Sequence, residues 1–301
     1  MQPRLGRGRA SGPGSSNEGP PHGCCLHSPH CGGASLQLFA NLAGLIRYRG
    51  LIQSLVAREL KARYRGSVLG FFWSFVNPLL LLLVYSFVFN YVLENKVEGI
   101  QPYALFMFCG ILPWTWFASS LTEAAGSLIA GGNLIKKVLF PAEVLPIVSV
   151  LANMVHFFLG LLILVGFLVY YRHLPDGTDL FWFPVAVAVQ LLFTTGLALL
   201  LAALTVHFRD IRDLLANLLT LWFFATPIIY PWTQENVRRY KAVFNANPFT
   251  HLAISYQEIL FFNGPIGHWR WLLALGGASV LLFLGGYWVF DRLRDSFAEV
   301  V

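Results

Sequence analysis

Of the 301 residues, 56% are hydrophobic, 26 are Phe and 9 are Trp, whereas only 12% are charged. Soluble domains carry about a quarter charged residues, and one compact core cannot bury this much apolar surface, so a soluble globular enzyme is excluded and lipid is the expected solvent. The net charge of +6 is absorbed by loop placement below and gives no reason to invoke nucleic acid.

Residues 1–35 are rich in Gly, Pro, Ser, Arg and His and lack apolar periodicity, so they are expected to be a disordered leader, or an artefact of gene assignment. Cys24, Cys25, Cys31, His22, His27 and His30 fall here, but their spacing fits no standard zinc site, and no metal is expected. The segment also lacks the apolar core of a secretory signal.

Residues 36–67 form an approach to the membrane. Within them, LIQSLVARELKARYRG (51–66) reads as an amphipathic helix lying in the cytoplasmic interface. Ile52, Val56, Leu60 and Tyr64 sweep one side, and Arg58, Lys61 and Arg65 gather on the other. Glu59 and Arg63 fall inside the apolar sector, in the i, i+4 order that favours contact with each other.

Six uncharged runs follow, 66–93, 99–122, 144–171, 180–208, 214–234 and 271–290, each 20 residues or longer. About 20 helical residues span a hydrocarbon core roughly 30 Å thick. The prediction is an all-α membrane protein with six transmembrane helices over 68–291, near 68–93, 102–122, 144–170, 181–207, 214–230 and 271–290. Fifteen Lys and Arg then lie on the side of the N-terminus and six on the other, which sets both termini inside, with 292–301 as a cytoplasmic tail. Between spans two and three, Asn133 is a plausible N-cap for a short helix, LIKKVLF, that Pro141 ends. The turn before span five, RDIRD, reads as a topology anchor. Residues 232–269 are apolar for an outer loop, with Phe249, Leu252, Ala253, Tyr256, Ile259 and Leu260 at helical spacing, and are expected to dip back into the membrane as re-entrant helices. Trp114, Trp116, Trp182, Trp232, Trp269 and Trp271 fall near predicted span ends, as an aromatic belt would.

No GxxxxGK[ST] phosphate loop occurs, nor HExxH, GxSxG or CxxC. Every Asp and Glu lies outside the six predicted spans, so ion-coupled transport lacks its usual groups and energy must come from a partner. His156 and His207, the imidazoles inside spans, read as hydrogen-bonded packing residues.

ELKARYRGSVLGFFWSFVNPLLLLLVYSFVF, GNLIKKVLFPAEVLP, VHFRDIRDLL, TPIIYP, NPFTHLAISYQEILF and the terminal FAEV resemble, in order, landmarks of the membrane subunits of ABC transporters that export lipid-linked polysaccharide, teichoic acid or capsule. The likeness runs from about residue 45 to 301. It implies a homodimeric, non-enzymatic permease of the bacterial cytoplasmic membrane, with two separate ATPase subunits that bind the ATP and Mg. It implies that Arg58, Glu59, Lys61, Arg63, Tyr64 and Arg65 belong to a gate helix where the lipid-linked anionic glycan arrives. Asn133, Leu134, Lys136, Lys137, Val138, Leu139 and Phe140 would couple to the ATPase. An aromatic lumen between the first and fifth spans would draw on Phe72, Trp73, Tyr85, Phe89, Trp222, Phe223 and Tyr230. The family often has Arg after the residue matching Tyr256; Gln257 stands here. Two other readings stay open: an ABC permease for drugs or other hydrophobic molecules, and a membrane-embedded glycan enzyme using Glu235, Glu258, His251 and His268.

Overall fold

The computed structural model describes residues 48–68, 70–88, 92, 100–132, 141–173, 177, 179–233, 239–262 and 266–300. The leader 1–35, Phe89 and the Asn133–Phe140 segment lie outside the described residues. Among those described, all regular structure is helical: α1 (Arg49–Arg63), α2 (Trp73–Phe87), α3 (Tyr103–Ala130), α4 (Val144–Tyr170), α5 (Trp182–His207), α6 (Ile211–Phe224), α7 (Lys241–Ala246), α8 (Pro248–Leu260) and α9 (Trp269–Val300).

Five helical stretches are long and apolar enough to cross a membrane: Gly70–Phe87, Tyr103–Ala130, Val144–Tyr170, Asp179–His207 and Trp269–Arg294. The expected fifth span differs. Helix α6 has 14 residues, about 21 Å at 1.5 Å per residue, against a hydrocarbon core of roughly 30 Å. It stops because Thr226-Pro227 follows, and proline can neither donate a helical bond nor tolerate the preceding turn. Residues 225–230 then run as irregular backbone.

Helix α3 is the centre of the bundle and packs against α4, α5, α6 and α8. It is longer than its uncharged run, passing through Glu123 to Ala130, because Ala124, Ala125 and Leu128 continue its buried stripe. This corrects two expectations. Glu123 lies within a continuous, span-length helix, and Trp114 and Trp116 are buried mid-helix residues rather than belt residues. Trp116 donates its indole N–H to Val150 O at 3.1 Å, and Trp114 packs edge-on against Phe249 with centroids 4.9 Å apart. Trp269 and Trp271 do remain exposed. The tightest helix pair is α5 with α9. A Cβ on Gly286 would collide with the carbonyl of Gly196, and one on Gly196 would lie 2.8 Å from Phe283 N, so only two glycines permit this backbone approach.

The break after α6 is repaired by α8. Asn247 caps α8 by accepting from Phe249 N at 3.0 Å, with Pro248 in the first turn. The same Oδ1 accepts from Trp222 Nε1 at 2.7 Å, and Nδ2 donates to Ala225 O and Thr226 Oγ1 at 3.2 and 3.0 Å. Deeper in, buried Gln257 donates Nε2–H to the carbonyls of Pro227 (3.2 Å) and Ile228 (3.4 Å). The residue that departs from the family pattern therefore serves backbone groups that the helix break leaves over. Phe249, Leu252, Ala253, Tyr256, Ile259 and Leu260 are all buried, as are Thr250, His251, Ile254, Ser255 and Gln257 on the other faces, so protein encloses α8 nearly all round.

Candidate functional site

Helix α1 lies on α4. Leu55 is buried against Val144 and Val148, with Leu51, Ile52 and Val56 packed around them, while Arg58, Lys61 and Arg65 stay exposed. The helix thus attaches by an apolar face centred on Leu55. After Tyr64 the chain turns through Gly66 (φ 83°) and Gly70 (φ 51°), left-handed conformations that favour glycine, and enters α2.

Arg63 does not take Glu59 as its ion-pair partner. It reaches across to α3, where Nη2 meets Glu123 Oε2 at 2.6 Å. Its Nη1 donates to Asn153 Oδ1 on α4 at 3.2 Å. Asn153 closes the ring: Nδ2 donates to the same Glu123 oxygen at 2.6 Å and to Ser149 O at 2.9 Å. Beside this ring Tyr64 is held in a second chain. His156 Nδ1 faces Ala152 O at 2.9 Å; a carbonyl cannot donate, so Nδ1 carries the proton and Nε2 accepts from Tyr64 Oη at 2.7 Å. Tyr64 in turn accepts from Ser74 Oγ at 2.7 Å. These contacts fasten the end of α1 to α2, α3 and α4 together.

Three cavities adjoin one another along α3. The largest, about 590 Å³, lies among α2, α3 and α4, with Arg63, Tyr64, Ser74, Asn77, Asn153 and His156 as polar lining and Trp73, Phe108, Trp116 and Phe157 as aromatic lining. A second, about 520 Å³, shares Leu81, Ile111, Thr115 and Ser119 with it and reaches α6 through Leu219, Thr220 and Phe223. The third, about 370 Å³, lies under α1 and is lined by Arg58, Glu59, Gly126, Ser149 and Arg212, among others. Glu123 and Thr122 face both the second and the third. A groove with sugar-sized aromatic faces and scattered hydrogen-bonding groups can hold an amphiphilic, carbohydrate-bearing molecule.

Of the expected lumen residues, Trp73, Tyr85 and Phe223 line this groove. Phe72 points outward at 58% exposure. Trp222 is tied to Asn247 and packs on Trp114 and Phe117, and Tyr230 donates to Phe224 O at 2.9 Å. The residues that the sequence reading missed are Glu123, Asn153 and Arg212. Glu123 could have been found from Ala124, Ala125 and Leu128, which carry the stripe of Leu121 onward. Asn153 carried no signal, being one amide in an apolar run.

Glu258, His251 and His268, the groups a glycan enzyme would use, make local contacts instead. Glu258 accepts from His268 N (3.1 Å) and pairs with its ring (3.4 Å). His251 lies flat on Trp271 with centroids 4.7 Å apart and bonds Asn245 O at 3.1 Å; Glu235 lies outside the described residues.

A multi-pass helical membrane protein with an amphipathic helix fastened at the mouth of a polar and aromatic groove has the build of a transport permease. Residues 50–261 match the ABC-2 type transporter family, and the chain belongs to it. It is 42% identical, over 85% of its length and 97% of the relative's, to the O-antigen export system permease protein RfbA of Myxococcus xanthus. The protein of that name from Klebsiella pneumoniae is 32% identical over 89% of this chain and 100% of its own. A more distant relative is the capsule polysaccharide export inner-membrane protein CtrC of Neisseria meningitidis, 26% identical over 56% of this chain and 63% of its own.

Proposed function

We propose that this chain is the membrane permease subunit of an ATP-driven exporter that moves a lipid-linked polysaccharide of the O-antigen class out across the cytoplasmic membrane. The observation that carries the reading is the 42% identity to an O-antigen export permease over 97% of that protein's length. The aromatic and polar groove along α3, capped by a basic interfacial helix, is chemistry that such a substrate would use. In the full reading two copies of the chain pair around the groove face. Two separate ATPase subunits bind ATP and Mg below, docking on Asn133–Phe140. Each copy crosses six times with both termini inside; α6 together with the irregular 225–230 segment makes the fifth crossing, and α7 and α8 form the re-entrant pair.

Deletion of the gene tests this. The expected result is accumulation of lipid-linked glycan on the cytoplasmic face and loss of surface polysaccharide, restored by the intact gene. Normal surface polysaccharide in the deletion strain, with altered sensitivity to hydrophobic drugs instead, would replace this reading with that of a small-molecule permease.

A further inference from the structure

We propose that Arg63 and Asn153 form a seat for the phosphoryl group of a lipid phosphate, and that Glu123 is the seat's resident occupant in the unloaded protein. This deepens the proposed function and rests on its anionic, lipid-borne substrate. The argument begins with convergence. Two N–H donors from two different helices meet at one carboxylate oxygen, Glu123 Oε2, at 2.6 Å each. Guanidinium and amide N–H groups aimed at one anionic oxygen are what a phosphoryl oxygen requires, and a carboxylate is the side chain that reproduces such an acceptor.

The surroundings give each partner somewhere to go. Arg63 and Asn153 line the 590 Å³ cavity, where Tyr64, Ser74 and His156 add polar groups and Trp73 and Trp116 add apolar wall. Glu123 does not line that cavity. It faces the 520 and 370 Å³ cavities, the first of which shares walls with the large one. The ion pair therefore joins a wall of the large cavity, at Arg63, to a wall shared by the other two, at Glu123. Arg58 and Arg212 line the 370 Å³ cavity with Glu59, so a displaced Glu123 has open volume and cations on the side to which it would retreat. The pair is also easily opened. The Arg63 and Glu123 side chains are 27% and 33% exposed, and ion pairs this wet add little to stability, so a purely structural role is a poor account of so closely convergent a ring. An incoming phosphoryl group exchanges for the carboxylate: Arg63 and Asn153 keep an anionic acceptor throughout, and no buried charge is left unpaired.

The test is equilibrium binding of farnesyl phosphate to the full chain in nanodiscs of zwitterionic phosphatidylcholine, with farnesol and inorganic phosphate as companion probes. Glu123→Gln removes the competing charge and is expected to bind farnesyl phosphate about tenfold tighter than the native chain, a ratio equivalent to about 1.4 kcal/mol and near the low end for one hydrogen bond to a charged group. Arg63→Ala is expected to weaken binding at least as much in either background, and farnesol is expected to bind all variants alike. Should Arg63→Ala fail to fold, Arg63→Lys keeps the cation, loses the fork, and is expected to bind several-fold more weakly. Competition by millimolar inorganic phosphate would show that the phosphoryl group suffices, and its absence that the phosphate must be lipid-borne; both outcomes support the seat. Equal or weaker binding by Glu123→Gln, or undiminished binding by the folded Arg63 variant, overturns it. These readouts need no polysaccharide, so a deletion strain that still exports its glycan would refute the proposed function without touching the seat.

Discussion

Replacing Asn247 with Ala removes four hydrogen bonds at once: from Trp222 Nε1, from Phe249 N, and to Ala225 O and Thr226 Oγ1. Losing the helix cap costs about 1 kcal/mol. Leaving the Trp222 indole N–H and the Ala225 carbonyl without partners adds about 1–3 kcal/mol, less where water reaches them. The expected total is about 2–4 kcal/mol, most of it in holding α8 against the end of α6. Asn247→Asp keeps the acceptor that serves Phe249 and Trp222, and suits a helix N-terminus, but loses both Nδ2 donations; it should recover about half of that cost by the same reckoning. Equilibrium unfolding in mixed micelles, followed by tryptophan fluorescence, measures both variants. The decisive comparison is a double-mutant cycle: in a Trp222→Phe background the indole N–H is already gone, so Asn247→Ala should cost less there by about 1 kcal/mol. Additive costs for Asn247→Ala and Trp222→Phe would refute the assignment of the Trp222 bond, and a total below about 0.5 kcal/mol, ordinary for a surface change, would refute the whole account.

The α5–α9 contact predicts an asymmetry between adjacent glycines. Gly286→Ala drives a methyl onto the Gly196 backbone and should destabilise by about 1–3 kcal/mol, whereas Gly285→Ala meets nothing within 4 Å and should be neutral or stabilising by up to about 1 kcal/mol; thermal unfolding of the two purified variants gives the comparison, and equal effects would disprove the close approach. For the segment expected to dock the ATPase, Val138→Asp and Leu139→Asp should abolish export with membrane insertion intact, and an unchanged pull-down of the ATPase by both variants would discard that role. The purified chain alone should not hydrolyse ATP, and hydrolysis that survives removal of contaminating ATPases would contradict the division of labour proposed above.

Length and apolarity alone mark most of the long helices in the sequence. The runs at 144–171 and 180–208 became α4 and α5 nearly residue for residue, because nothing within them competes with helix formation and their ends coincide with charge. The helical pattern in 51–66 placed Ile52 and Val56 on the face that meets α4 but not Leu55, the residue buried at that contact. Charge failed as a boundary at Glu123, where a carboxylate is tolerated inside a helix because Arg63 arrives from 60 residues away. Local spacing proposed Glu59 as the partner of Arg63, and only packing brings in Glu123 and Asn153, since nothing in the sequence records which helices become neighbours. The aromatic residues show the same limit. Trp73 and Trp222 are equally plausible wall residues on paper, yet one lines a cavity and the other donates to Asn247. Gln257 looked like a lost charge until the broken end of α6 supplied carbonyls for it to serve.

That repair has a mechanical consequence. In the proposed topology, where α6 and the 225–230 segment make the fifth crossing, the carbonyls of Ala225, Pro227 and Ile228 lie outside any helix, and their donors sit on Asn247 and Gln257 of α8. Sliding α8 away from that stretch would leave those oxygens without their present donors, at a cost of about 1–3 kcal/mol for each that water does not reach. Residues 222–230 and 247–257 are therefore yoked. In the proposed transport cycle, widening the groove beside α8 would carry both as one piece, and the bend would fall at the other end of α6, in the short turn at Phe208–Asp210 that links it to α5.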